Sequence, residues 1–580
     1  MRYPTLYTKE SSRQMVDIFK GYNHNLRISD GEFFDMKNLT SDYYPILSPR
    51  GNRGVYASPE SPKGLITKDA LCYVDGRYFV TNKYSIDIGL NDEPKQLISM
   101  GAYVIIMPDK KWINTEDRTF GNIEASFTTT QDVTFSLCNI SGDTYEGANP
   151  TPSAPEKPKN LDFWIDTSST PHTLKQYSAT SATWVSIATT YVRIYSPGIG
   201  AAFNKYDGVT ISGIVIDKLK DLNGTMVVWD RGDDYIVVIG ILDAVTAQEI
   251  NQGAVKVERR MPNLDFIVES GNRLWGCKYG VAVNGEVVNE IYACKLGDFK
   301  NWNCFMGIAT DSWVGSCGTD GQFTGAITHL GYPVFFKENC MHKVYISSAG
   351  AHKIQDTACN GVQKGCDKSL AIVNTTLFYK ARNGICAYDG SLPTEVSYAL
   401  GNEAYNDAVA GSHGNKYYIS MKDMLGKYHL FVFDTAKGMW HKEDSLHAAA
   451  FCSCDGEMYC IDADTKKIIT LRGSGTKDTE PVEWMAETGE IGISSPDMKY
   501  ISRLTIRMTL DIGAVVNMYA QYDLDDEWVH LCELTGTSLR SFSIPIRPRR
   551  CDHMKLRFEG EGMCKVYSIT KTIEQGSDLS

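Results

Sequence analysis

Two ten-residue stretches far apart in the chain spell the same local object: Leu71-Cys-Tyr-Val-Asp-Gly-Arg-Tyr-Phe-Val80 and Phe451-Cys-Ser-Cys-Asp-Gly-Glu-Met-Tyr-Cys460. Each is four mostly strand-compatible residues, an Asp-Gly pair, and four more. Asp-Gly between apolar runs is a strong hairpin signal, because a type I′ turn needs positive φ at both central positions. With Val74 opposite Arg77, one face carries Cys72, Val74, Arg77 and Phe79 and the other Leu71, Tyr73, Tyr78 and Val80. Both faces are largely apolar, so the hairpin needs cover on both sides. A recurring hairpin covered on both faces implies stacked sheets, above all a β-propeller.

Size and composition agree with that reading. At 580 residues the chain exceeds one compact core and two to four domains are expected. Fifty Gly, 32 Tyr and 10 Trp tilt it toward turn-rich β structure. A net charge of −12 argues against a non-specific nucleic-acid binder, which needs a basic footprint, but not against a surface past which DNA slides. The 16 cysteines are spread along the chain, several inside apolar runs (Cys72, Cys277, Cys294, Cys386, Cys460), and read as reduced core residues. No Cys-x-x-Cys occurs, and Cys452, Cys454, Cys460 and the pair Cys359/Cys366 lack a zinc spacing, so no metal site is expected. Met1-Arg-Tyr-Pro-Thr-Leu-Tyr7 has no apolar signal core, and no run approaches 18 apolar residues.

The texture changes along the chain. Residues 1–61 read as an extended lead-in and first propeller strand, and residues 62–117 as the first part of a propeller containing the buried strand Ala102-Tyr-Val-Ile-Ile-Met107. Residues 118–260 are richer in Thr and Ser. The stretch Asn149-Pro-Thr-Pro-Ser-Ala-Pro155 reads as a semi-rigid linker within an inserted β-sandwich-like domain. Propeller texture resumes over 261–475, with equivalent points spaced roughly 40–55 residues apart, the length of a four-stranded blade. Residues 476–580 read as a C-terminal β-sandwich. The fold class expected is therefore all-β.

No catalytic constellation stands out. Asp434-Thr-Ala-Lys-Gly-Met-Trp440 and Gly297–Trp302 approach the Asp-box turn of sialidases without matching it, and read as turns with a packed Trp. Asp525-Asp-Glu527 and Asp462/Asp464 fall in apparent surface turns, and His441 in what looks like a solvated strand end. There is no Gly-x-Ser-x-Gly turn, His-Glu-x-x-His or phosphate-cradling loop, and Arg231-Gly-Asp233 reads as a hairpin turn. The chain is thus expected to be no enzyme and to carry no cofactor. The densest basic patch, Arg547, Arg549, Arg550 and His553, is the candidate contact for a partner or for DNA phosphates, against the plainer reading of a solvated loop.

Phe19-x-Gly-x-Asn23, Ile28-Ser-Asp-Gly-Glu32, Asn38 and Leu47-x-x-Arg50-Gly51 form an opening that resembles that of propeller-bearing bacteriophage tail proteins. These are the tail nozzle, or tail tubular protein B, and the packaged-DNA-stabilising proteins of short-tailed phages. Asn272-Arg-Leu-Trp-Gly276 with Ile291-Tyr-Ala293, Asp389-Gly390, Val432-Phe-Asp434 with Gly438-x-Trp440, and Arg549-Arg-Cys-Asp-His553 before Glu559-Gly-Glu-Gly562 follow in the same order. Residues 118–260 depart from the simplest nozzle pattern. The resemblance implies a virion tail component made in the host cytoplasm, commonly six copies in a ring below the portal and its adaptor. Such a ring lines the DNA exit channel and touches passing DNA without reading its sequence. Two other readings stand beside it. A carbohydrate- or receptor-binding propeller would cluster exposed Tyr and Trp at one propeller mouth, and a propeller glycoside hydrolase would converge two or three acids on the central channel.

Overall fold

The computed structural model describes residues 11–575 apart from 146, 241–247, 282–284, 348–350, 478–479, 494–497, 524 and 526. The stretch Met1–Tyr7 and Asp526, both weighed above, lie outside the described residues. The protein is all-β; among the described residues the only helical turns are four short 3-10 segments, Ile199–Ala202, Asp217–Leu222, Asp367–Ser369 and Tyr398–Leu400.

A ring of four-stranded antiparallel sheets forms the body. Their innermost strands are Pro62–Lys68, Gln96–Met100, Phe266–Glu269, Gly325–His329, Ala371–Val373, Tyr405–His413 and Ala448–Cys454, which we number as blades 1 to 7. Each inner strand lies beside the next, with Asp367–Ser369 bridging blades 4 and 5, and Ala448–Cys454 returns to Pro62–Lys68. That closed circuit is a β-propeller. The opening hairpins belong to its first and last blades, which meet at the seam. Cys72, Val74 and Phe79 pack toward blade 2, while Leu71, Tyr73, Cys452 and Cys454 pack into the seam with blade 7.

The two hairpins turn differently. Asp455 and Gly456 both have positive φ, 49° and 76°, and Cys454 pairs with Glu457, as a type I′ turn requires. In the first hairpin Asp75 pairs with Tyr78, and Val74 with Phe79 rather than Arg77, so the turn slides one residue onward. Asp75 is drawn into the strand because its carboxylate accepts the N–H of Ser61 at 2.7 Å, while the Gly76 N–H donates to Ser61 O at 2.9 Å.

The lead-in ties the molecule together. Gly54–Ala57 pairs with Ile468–Thr470 and so supplies the fourth strand of blade 7 from the opposite end of the chain, with Thr476–Lys477 paired along its far side. Gly21–Tyr22 joins the outer edge of blade 6, where Tyr22 pairs with Trp440. Glu32–Lys37 joins Gly21–Tyr22 on one side and Glu483–Thr488 on the other. Blade 6 therefore runs without a break into a ten-stranded sheet that ends with Met554–Glu561, Val515–Tyr522 and Val529–Leu534. A second sheet, Ser11–Val16, Cys564–Gln575, Lys499–Leu510 and Arg540–Ile544, completes the C-terminal layer pair. One core of Phe19, Phe33, Phe336, Tyr379, Phe431, Trp484, Ile506 and Phe558 runs through blades 4–6, the lead-in and this layer pair.

His441 is covered, not solvated: it is 4% exposed, because Gly21 crosses over it. A Cβ on Gly21 would stand 2.3 Å from the Trp440 carbonyl, and its φ of +86° also favours glycine.

Between blades 2 and 3 two further sheets share a core of their own, including Val133, Phe135, Val192, Phe203, Val209 and Ile236. Their root is pinned to blade 3. Asn301 accepts the Gly208 N–H at 2.8 Å and donates to Asp207 at 2.9 Å, and Asp207 is paired with Arg259. The Pro-rich stretch is only partly a linker: Asn149–Thr151 pairs in parallel with Phe163–Asp166. Pro150 is tolerated there because the strand is an edge, where a missing N–H leaves no ladder bond unmade.

Candidate functional site

The four basic residues picked out in the sequence share the loop between Arg540–Ile544 and Met554–Glu561, but they do not form a bare positive surface. Arg547, Arg549 and Arg550 are exposed. Arg549 is paired with Asp525 at 2.8 Å and covers the Tyr522 ring at 5.1 Å. The His553 side chain is 12% exposed and its Nδ1 lies 3.1 Å from Asp552. Asp523 accepts the backbone N–H of Asp552 at 2.7 Å. The acids Asp523, Asp525 and Asp552 thus interleave with the basic groups and dilute the field a phosphate would feel.

The central channel is the concave feature that all seven blades build. It encloses about 400 Å³ and is lined by Lys63, Lys95, Asp265, Phe266, Asp367 and Phe451, among others, from every inner strand or its approach. That volume lies in the range of small-molecule sites, roughly 300–1,000 Å³. Two carboxyls face it. Asp265 is held by Lys278 at 2.6 Å and accepts the Tyr279 N–H at 2.8 Å. Asp367 opens the bridging 3-10 turn, and burial pushes its carboxyl above the usual range. No Tyr or Trp lines the channel among the described residues. The arrangement offers a charged and apolar socket that includes Phe266 and Phe451 but not the Tyr and Trp cluster expected of a sugar-binding mouth.

A network that the sequence did not signal lies between blades 3 and 4. His342 Nδ1 meets Asp356 at 2.6 Å and its Nε2 meets the Thr319 hydroxyl at 2.9 Å. Cys340 Sγ lies 3.7 Å from the same Nε2. Burial pushes the imidazole below its ordinary value, against the raising pull of Asp356. His342 and Asp356 are direct cross-strand partners, and Thr319 sits in the connection entering blade 4, so the relay clamps that connection to the blade. The three residues are widely separated in sequence, with no spacing that marks them as a set. Among the described residues no group of three or more His, Cys, Asp or Glu could hold a metal ion, and all 16 cysteines are free.

No protein-family model and no curated protein matches the chain. Several solved structures are similar. The phage phi92 endosialidase matches at 10% identity over 75% of this chain and 68% of its own, with a TM-score of 0.24. The exo-β-1,3-galactanase of Phanerochaete chrysosporium matches at 9% identity over 52% of this chain and 95% of its own, with a TM-score of 0.21. A further glycoside hydrolase matches at 10% identity over 52% of this chain and 96% of its own, with a TM-score of 0.20. The expectation that the chain is no enzyme is corrected on this finding. Glycoside hydrolases stand among its structural neighbours. At these scores the likeness transfers no activity to this chain. No helix among the described residues is long and apolar enough to cross a membrane.

Proposed function

We propose that the chain is a structural component of a bacteriophage tail. In this reading it is a nozzle or hub protein whose copies form a ring, six by the resemblance, below the portal and its adaptor. The observation that carries the reading is the unbroken ten-stranded sheet joining blade 6, the lead-in and the C-terminal layers over one core. A block without an internal hinge at that joint suits a part that must transmit load. In this reading the ring of copies forms the wall of the DNA path, and a net charge of −12 disfavours adhesion of DNA to it. The basic loop at Arg547, Arg549, Arg550 and His553 then faces a neighbouring copy or tail protein. Cryo-electron microscopy of the particle tests this: copies arranged in a ring about the tail axis are expected, and a lone copy away from that axis overturns it.

A second reading, carbohydrate or receptor binding, is favoured by one specific observation. Trp164, Tyr177 and Trp184 share one face of a small sheet in the inserted region. Binding of the purified chain to immobilised glycans tests it.

A further inference from the structure

The strands Asn149–Thr151, Phe163–Asp166, Thr173–Ser178 and Thr183–Ser186 form a four-stranded sheet. Its register sets Trp164 opposite Lys175, Asp166 opposite Thr173, and Tyr177 opposite Trp184. Side chains alternate across a sheet, so Trp164, Asp166, Lys175, Tyr177 and Trp184 fall on one face, and Phe163, Ile165, Leu174 and Val185 on the other. On the second face Leu174 and Ile165 are buried and the Phe163 ring packs 4.5 Å from Tyr145 of the inserted region, while Val185 is exposed. On the first face Trp164 and Asp166 are buried too, which leaves Trp184 and Tyr177 as its half-exposed aromatic rings.

Those residues are already fixed in place. The Trp184 ring lies 5.4 Å from Trp164 and 5.3 Å from Tyr177. Trp164, 6% exposed, donates its indole N–H to the Thr151 carbonyl at 3.0 Å and is covered by Lys175 Nζ at 4.9 Å. Lys175 in turn donates to Asp166 at 2.8 Å, and Ser168 donates to the other Asp166 oxygen at 2.6 Å. Those bonds, from Lys175 first and then Ser168, hold the Asp166 carboxyl at about 2, so it is an ionised acceptor at neutral pH. Trp184 and Tyr177 remain half-exposed beside this pair.

We propose that this face is a saccharide-binding site, with the apolar face of a pyranose ring stacked on Trp184 and Tyr177 and a ring hydroxyl accepting from the Lys175 ammonium beside them. The inference rests on the carbohydrate-binding reading and names its site. Exposed aromatic rings with a few fixed polar groups combine stacking area with orientation. Asp166, buried and bonded to Lys175 and Ser168, fixes the partly exposed Lys175 ammonium as a donor beside the two rings.

The test is binding of the full chain to a glycan array, followed by titration calorimetry with the soluble form of the strongest-binding oligosaccharide. Trp184→Ala and Tyr177→Ala are each expected to weaken binding at least tenfold, with Trp184→Phe recovering part of the loss. Val185→Ser, on the opposite face at 54% exposure, is expected to leave binding unchanged. Glycan binding that survives both alanine substitutions overturns this site while leaving the carbohydrate reading in place. Equal loss in Val185→Ser and Trp184→Ala also overturns it, since the sheet as a whole and not its aromatic face would then be responsible. No binding to any immobilised glycan overturns the site and the reading together.

Discussion

At the scale of single residues, covered charges and imidazoles mark where the lead-in holds the chain together. His441 sits beneath Gly21, and burial, with Lys416 adding to it, pushes its imidazole down to about 3; Asp434 and Asp42 pull the other way and Lys437 opposes them. An unfolded histidine titrates near about 6.5, so between those values the unfolded state binds the extra proton and stability falls as pH drops. His441→Gln is expected to make the decline in urea-unfolding free energy between pH 6.5 and 4 shallower by about 1.4 kcal/mol per pH unit, the weight of one proton. An unchanged slope would mean that His441 is protonated in the folded state. A second covered cluster joins the lead-in to blade 6: Arg53 meets Glu443 and Asp444 at 2.8 Å each, and Arg50 meets Asp444 at 3.3 Å. Burial opposes ionisation of Asp444, but the two guanidiniums outweigh it and hold its carboxyl below the usual range. Removing one partner of such a buried set typically costs about 3–5 kcal/mol, so Arg53→Met should show a loss of that order in denaturant titration at pH 7.

At the scale of elements, the strand Gly54–Ala57 closes the ring, and Gly54 is its tightest point. A Cβ there would stand 2.0 Å from the Ser474 carbonyl and 2.5 Å from the Thr470 hydroxyl. Gly54→Ala is therefore expected to cost about 1–3 kcal/mol by overpacking. Amide exchange should show the loss as faster exchange at Ile468–Thr470 than in blades 3 and 4; uniform change across the blades would show that the closure is not a local weak point. The hairpins of blades 1 and 7 were legible in sequence because Asp-Gly turns and alternating apolar residues are local signals. The solvated reading of His441 failed because its cover comes from Gly21–Tyr22, hundreds of residues away, and a strand of two residues carries no periodicity to read. The linker reading of Asn149–Thr151 failed for a related reason: proline excludes a residue from central strands but permits an edge. The basic loop was visible as composition, whereas its interleaving with Asp523 and Asp525 depended on pairing between strands. The aromatic face of the small sheet was likewise hidden, since Trp164 and Trp184 meet only once the register is known.

At the scale of the whole molecule, the core of the inserted region stands apart, while the propeller's cores link blade to blade around the ring. Blades 4–6, the lead-in and the C-terminal layers share the largest core and one continuous sheet, so separating any of them exposes apolar surface on both sides of the cut. The inserted region buries Phe135, Val192 and Ile236 among its own residues and meets the propeller through the polar contacts of Asn301, Asp207 and Gly208. Cooperativity follows shared apolar burial, so calorimetry should show two transitions, one for the inserted region and one for the propeller with its C-terminal layers. Phe135 and Phe431 are both fully buried, the first in the core of the inserted region and the second in the largest core. Phe135→Ala and Phe431→Ala should each cost about 3–5 kcal/mol within its own unit and lower its own transition while leaving the other in place. A single transition that both substitutions lower equally would mean that the polar root couples the units as strongly as a core does. Asn301→Ala separates the causes: it removes the bonds to Gly208 and Asp207 and touches neither core. If the root merely positions the inserted region, this substitution leaves both transition temperatures nearly unchanged and loosens only the orientation of the insert, read as a broader distribution of distances between spin labels on the insert and on blade 5.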